Sequence, residues 1–250
     1  MAEAAAAADN NGNPTHYVAE PSVWIFGYGS LCWYPGFEYD KCITGYIRGY
    51  VRRFWQGNTT HRGTKEKPGR VATLIEDNNG ITWGCAFRVT GRPALEYLKH
   101  RECTLGGYAT DFIKFFPRVA SEHSGFSGEA FLALVYIATP KNELWIGEEP
   151  VVETARQIAQ CKGPSGHNVE YLIRLALFMR EELPGAADAH LFELEDLVRR
   201  FVAEANVTIG SLLGSTPRRI RRDSHEEVRR HVSFEYTSRV PEKNLRCLHI

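Results

Sequence analysis

From Val23 onward, apolar residues are grouped and spaced as strands require. Val23-Trp24-Ile25-Phe26 is a short apolar run that stops at Gly27-Tyr28-Gly29-Ser30-Leu31, which predicts a buried strand ended by residues that strands disfavour. A long aromatic-rich stretch over 43–56 predicts a second strand. Two more are predicted over 70–75 and 81–89, with Asn78-Asn79-Gly80 between them as a hairpin signal. A short helix over 93–102 brings Leu95, Leu98 and Glu102 near one face, and strands follow over 111–116 and 130–138. The period then changes from two to that of a helix. Segments 151–160, 169–181 and 187–205 carry helical spacing, as in Leu172, Leu175, Ala176 and Met179, and Asn168 is the candidate N-cap of the second. Strands first and helices afterwards predict an α+β domain rather than a doubly wound one. A closed or nearly closed, mostly antiparallel sheet with helices against one side would leave few free strand edges.

Composition narrows the class. The chain has 250 residues, 43% hydrophobic and 24% charged, enough for a substantial core. Lys+Arg 30 and Asp+Glu 30 cancel, so no overall field draws nucleic acid or an anionic membrane. No apolar run approaches the ~20 residues of a membrane helix, and the start, with Glu3 and Asp9 and no Arg, does not read as a targeting peptide. A cytosolic protein is expected. The six cysteines (Cys32, Cys42, Cys85, Cys103, Cys161 and Cys247) show no C-x-x-C and no regular spacing, which predicts reduced thiols packed as small hydrophobes rather than a disulfide framework or zinc site. Residues 1–20, alanine-rich and then Asn/Gly/Pro-bearing, read as disordered. The expected organisation is that segment, a catalytic domain over 21–205 and a basic extension over 206–250. The arginine cluster at 217–222 is either a phosphate- or RNA-binding patch or a solvated tail, and the lack of interleaved aromatics favours the tail.

Two glycine pairs carry the candidate chemistry. Glycines at a strand end bring main-chain N–H groups close to something small and electron-rich. Gly27-Tyr28-Gly29-Ser30-Leu31-Cys32 starts like a dinucleotide fingerprint but lacks its third glycine and following helix; a β-bulge is the plainer alternative. Glu102 precedes Gly106-Gly107-Tyr108, and a tight turn there could hold its carboxylate in a pocket as a proton shuttle; the alternative is an exposed helix-end carboxylate. Cys103 with His61 or His167 could form a nucleophile pair, yet Cys103 and its neighbour Glu102 point in different directions and cannot readily serve one site. No His/Asp/Glu cluster has metal-ligand spacing.

Six ordered segments lead further. They are Phe26-Gly27-Tyr28-Gly29-Ser30-Leu31; Arg52-Arg53-Phe54-Trp55-Gln56-Gly57; His61-Arg62-Gly63; Pro68-Gly69-Arg70-Val71; Arg101-Glu102 with Leu105-Gly106-Gly107-Tyr108; and the stretch from Gly163-Pro164-Ser165-Gly166-His167-Asn168 to Tyr171-Leu172. Together they resemble the ChaC family of glutathione-specific γ-glutamylcyclotransferases, over 23–197. One departure is Trp145-Ile146-Gly147-Glu148-Glu149-Pro150, more acidic than the family's usual segment. The resemblance implies the γ-glutamylcyclotransferase-like fold, a small, mostly antiparallel β-barrel with flanking helices. It implies cleavage of glutathione to 5-oxoproline and Cys-Gly by attack of the γ-glutamyl α-amine on its own side-chain carbonyl, with no metal or cofactor. Glu102 takes the general acid/base role by this resemblance, and Tyr28, Gly29, Ser30 and Leu31 form the γ-glutamyl cradle. Tyr108 and Tyr171 are expected around the same pocket. Arg53 and Gln56 are candidate binders; under strict strand alternation they face opposite ways, so at most one enters the pocket. The alternatives are a cyclotransferase of broader γ-glutamyl specificity and a non-catalytic γ-glutamyl-binding protein.

Overall fold

The computed structural model describes residues 22–104, 107–118 and 128–214. The segment 1–20, the arginine cluster at 217–222, Leu105, Gly106 and Cys247 lie outside the described residues. Five strands, β1 (Ser22–Gly27), β2 (Lys41–Asn58), β3 (Gly69–Thr90), β4 (Ala109–Pro117) and β5 (Phe131–Ile137), close a barrel in the order β1-β3-β2-β4-β5. All neighbours are antiparallel except β1 and β5, which meet in parallel at Ile25 and Leu134. The apolar run of β1 is buried as predicted: Ile25 and Phe26 join Ile47, Phe87, Phe115 and Val135 in the core, and the Phe26 and Phe115 rings lie 5.7 Å apart.

The hairpin expected at Asn78-Asn79-Gly80 does not form. Both halves of β3 pair with β2, Glu76 opposite Tyr50 and Ile81 opposite Arg48. The four residues between, 77–80, stand opposite Gly49 alone, whose φ is +85°. β2 is 18 residues long, enough to partner both halves, so the turn-forming residues make a bulge instead of a reversal. The Asn79 N–H donates to Asp77 Oδ1 at 2.9 Å, a local turn bond.

Helix α1 covers Arg92–Leu98 with Pro93 in its first turn, and the chain then widens into a π-helical turn over Lys99–Thr104. α2 (Val151–Gln160), α3 (Asn168–Glu182) and α4 (Ala189–Glu204) follow the predicted periodicity, and a short α5 covers Ile209–Leu212. Leu172, Leu175, Ala176 and Met179 of α3 are all buried, as are Leu191, Leu194, Val198 and Val202 of α4, the apolar stripe of an amphipathic helix. Asp188 caps α4 by accepting from Leu191 N at 3.1 Å.

The predicted cap of α3 is displaced by one residue. His167 is the N-cap, its Nδ1 accepting from Val169 N at 3.2 Å. Asn168 is the first helical residue and spends its amide elsewhere: Oδ1 accepts from Arg70 N at 2.6 Å and Nδ2 donates to Arg70 O at 2.8 Å. Both backbone polar groups of one strand residue are thereby matched by a fully buried side chain. Around this bond, Glu170 of α3 holds Arg62 at 2.7 Å and Arg174 at 2.7 Å. The Asn168 bonds dock the N-terminal end of α3 onto β3, Glu170 ties it to the preceding loop through Arg62, and the Arg174 pair lies within the helix.

Replacing Asn168 should therefore act on stability. Asn168→Ala leaves two buried backbone groups unpaired and is expected to lower the unfolding free energy by about 3 kcal/mol, measured by urea denaturation; a loss under about 0.5 kcal/mol would show that the docking bond carries little.

Candidate active site

The first strand ends where the site begins. After β1 the chain makes a 3₁₀ turn at Ser30–Cys32, closed by Cys32 N to Gly29 O at 3.0 Å and by Trp33 and Tyr34 N to Ser30 O at 3.2 and 2.8 Å. The glycines are needed for close approach. A Cβ on Gly27 would lie 2.7 Å from Leu31 Cβ, and one on Gly29 would lie 2.6 Å from the Tyr171 hydroxyl. The space left by Gly29 is thus filled by a phenol from α3. Leu31 is buried and Ser30 half-buried, while the Tyr28 hydroxyl donates to Tyr136 O at 2.6 Å. That bond ties the turn to β5.

Tyr171 OH is held by Ala72, whose N–H donates to it at 3.2 Å. Burial pushes this phenol up to about 12, against the opposing pull of the Ala72 N–H and the Arg52 charge, with Glu102 acting in the same direction as burial. The hydroxyl therefore keeps its proton at neutral pH and is available as a donor. Burial likewise raises Tyr28 well above a free phenol, with Tyr171 and Glu102 adding to it, and raises Tyr136 to about 12 with Cys103 and Glu102 behind it.

Glu102 lies in the π-helical turn and is half-buried. Its charge is felt at the Tyr28, Tyr136 and Tyr171 hydroxyls, which belong to the turn after β1, to β5 and to the first turn of α3. Tyr108, half-buried, donates its N–H to Glu102 O at 3.0 Å. The adjacent Cys103 thiol is pushed up, first by burial and then by Glu102, which is contrary to what a thiolate nucleophile requires. Among the described residues, no group of three or more His, Cys, Asp or Glu side chains is placed to hold a metal ion.

Arg53 and Gln56 are drawn to different places. The register against β3 slips between them, Arg53 opposite Thr73 and Gln56 opposite Val71, yet burial still alternates over 52–56, so the two side chains fall on opposite faces of β2. Gln56 is buried, and its Nε2 donates to Asn142 Oδ1 at 3.0 Å. Arg53 donates to Arg52 O at 2.8 Å and lines a groove of about 440 Å³ with Trp55, Glu148, Asp188, His190 and Glu193, in which Tyr28, Glu102 and Tyr171 take no part. The hollow of about 390 Å³ between Met179, Leu183 and Phe192 lies at the opposite end of α3 from Tyr171.

Several residues at the site were given no role of their own by the sequence. Of the Arg52-Arg53 pair, Arg52 is the buried one: Nη1 pairs with Asp188 at 2.5 Å and Nη2 donates to Trp83 O. Its charge lowers two of the three phenols that Glu102 raises, Tyr28 and Tyr171. The usable signal was its two-residue offset from Phe54, since Arg52, Phe54 and Gln56 are the buried positions there. The acidic departure at 145–150 also finds its partner, because Glu149 pairs with the buried Arg70 guanidinium, which donates as well to Gly147 O at 3.1 Å.

Comparisons with known proteins can now be set beside this geometry. The ChaC-like protein family matches residues 23–201. This chain belongs to the ChaC-like family. Glutathione-specific gamma-glutamylcyclotransferase 1 of Danio rerio is 53% identical over 177 residues, covering 70% of this chain and 87% of the relative. The Homo sapiens protein of the same name is 47% identical, covering 76% and 81%. A crystal structure of a gamma-glutamyl cyclotransferase specific to glutathione from yeast superposes with a TM-score of 0.64 at 30% identity, covering 72% of this ChaC-like chain and 96% of the yeast one.

The groove beside this ChaC-like site contains a titration that affects folding. Burial, and then the Arg53 charge, lowers His190 from 6.5 to about 4, and Nε2 accepts from Phe54 N at 3.3 Å. The folded protein resists protonation of this ring while the unfolded chain accepts it. Stability should be complete above pH 6.5 and fall by about 1.4 kcal/mol per pH unit between 6.5 and about 4. Urea titrations of wild type and His190→Gln across this range test it; an unchanged slope in the variant would remove His190 as the cause.

Proposed function

We propose that this chain is a glutathione-specific γ-glutamylcyclotransferase, with Glu102 as its general acid/base. The reading is supported by one half-buried carboxylate within electrostatic reach of the Tyr28 and Tyr171 phenols, the second of which packs on the glycine of the turn after β1. The names of the Danio rerio, Homo sapiens and yeast relatives supply the substrate. Free thiols at Cys32, Cys85 and Cys161 suit a reducing compartment, and the cytosol is taken as the site of action. Among the described residues, no helix is long and apolar enough to cross a membrane.

In glutathione the γ-glutamyl α-amine and the amide carbonyl it attacks belong to one residue, and closing five atoms into a lactam is favoured once the chain is folded back. Well-oriented intramolecular attack reaches effective molarities of ~10⁵ M or more. What remains for the protein is to hold that fold and to move protons. The amine attacks the γ-carbonyl carbon, giving a tetrahedral centre with negative charge on oxygen. Glu102 takes a proton from the attacking nitrogen and delivers it to the departing cysteinyl nitrogen as the C–N bond breaks. Over the whole reaction two protons leave the first nitrogen and two reach the second; water carries the other. The products are 5-oxoproline and Cys-Gly, with no water added.

Anion binding falls to the turn and to Tyr171. The lone pair of the Tyr171 oxygen is engaged by Ala72 N–H, so the hydroxyl proton is the part left to offer the substrate carboxylate or the developing oxyanion. The Gly29 N–H, which takes no part in closing the 3₁₀ turn, adds a second donor beside it. The binding role of the Tyr28 position resides in its backbone, since its hydroxyl already donates to Tyr136.

Product analysis with glutathione and with γ-glutamyl-alanine tests the reading. 5-Oxoproline is expected from glutathione in preference; preference for γ-glutamyl-alanine would establish the broader specificity instead. Glu102→Gln should lower turnover about 10³-fold and Tyr171→Phe about 10²-fold, both with the thermal unfolding midpoint nearly unchanged. Full activity in Glu102→Gln would remove the carboxylate from the mechanism.

A further inference from the structure

One amide beside the Glu102 turn has no part in this reaction scheme. Asn142 lies in the loop after β5, its N–H donating to Thr139 O at 2.9 Å and its carbonyl accepting from Trp145 N at 2.9 Å. Its side chain joins three segments. Oδ1 accepts from Leu144 N at 2.9 Å and from Gln56 Nε2 at 3.0 Å, and Nδ2 donates to Gly107 O at 2.8 Å. A backbone N–H only donates and a carbonyl only accepts, so these two partners fix which end of the amide is oxygen. Gln56 then presents its Nε2, and among the described residues its own buried Oε1 meets no hydrogen-bond donor.

The far end of this connection is the Glu102 turn. Gly107 has φ +63°, and a Cβ there would lie 2.9 Å from Asn142 Nδ2, so only glycine both adopts the left-handed turn and admits the amide. Gly107 N donates to Cys103 O and Tyr108 N to Glu102 O, each at 3.0 Å. Hydrogen bonds thus run from β2 through Gln56 and Asn142 to Gly107 and on to the carbonyls of Cys103 and Glu102. A π-helical turn is wider than an α-turn and is a common means of aiming a functional side chain; this one is fastened to the barrel by a side chain from another loop.

We propose that Asn142 is a positioning residue that holds the Glu102 turn against β2, keeping the carboxylate beside the turn after β1. The kinetic part of this inference rests on the cyclotransferase reading; the structural part does not. Asn142→Asp retains an acceptor for Leu144 and Gln56 but sets an oxygen against Gly107 O, so it breaks the clasp selectively. Amide hydrogen exchange should quicken over 102–108 and stay unchanged over 168–182. With glutathione, kcat should fall about 10²-fold while KM stays within about threefold. Asn142→Ala is the second variant should the first not fold, with the same two readouts. Unchanged exchange over 102–108, wild-type kcat, or a loss carried by KM alone overturns the proposal. If the wild-type protein makes no 5-oxoproline from glutathione, the reaction reading fails on its own, and the exchange measurement still decides whether Asn142 clasps the turn.

Discussion

The docking of α3 on β3 is the constraint from which the site follows. Asn168 matches both backbone polar groups of Arg70, and three residues later, almost one helical turn on, Tyr171 reaches Ala72 N. The pair works as a ruler laid across the strand, since residues 70 and 72 on β3 meet residues 168 and 171 on α3. Gly29 is glycine because that ruler ends on it. The helix contributes position as well as burial, and its ionic contacts through Glu170 to Arg62 and Arg174 keep its first turn in place.

Two opposite charges act across the same phenols. Glu102 raises Tyr28 and Tyr171 while Arg52 lowers them. Burial is the larger influence on both and keeps them protonated, which suits groups that must donate to anions without becoming anions. Arg52 is itself balanced by Asp188 at the start of α4. The helical layer therefore supplies a counter-charge to the barrel at one point and a hydrogen-bond donor at another.

Much of this was legible in the sequence because apolar period and glycine placement are local signals. β1 and the three long helices read directly from residue order, whereas Glu102 was singled out by the family resemblance. Asn78-Asn79-Gly80 misled because turn chemistry describes what a segment can do locally, whereas the length of β2 decided what it does here. Asn168 misled for a similar reason: a good capping residue was claimed by Arg70, and His167 took the cap. Arg52 and Asn142 were invisible as site residues because their roles depend on partners far away in sequence, Asp188 for Arg52 and Gln56 and Gly107 for Asn142.

The single parallel contact between β1 and β5 also bears on how the molecule is made. The sheet is sealed by its first and last strands, at Ile25 and Leu134, and the tyrosine over Gly29 is encoded later still. A chain emerging from the ribosome has thus released its glycine turn and its acid long before the strand and helix that bring them together exist. The glycine turn and the Tyr171 phenol can meet only once synthesis has passed α3.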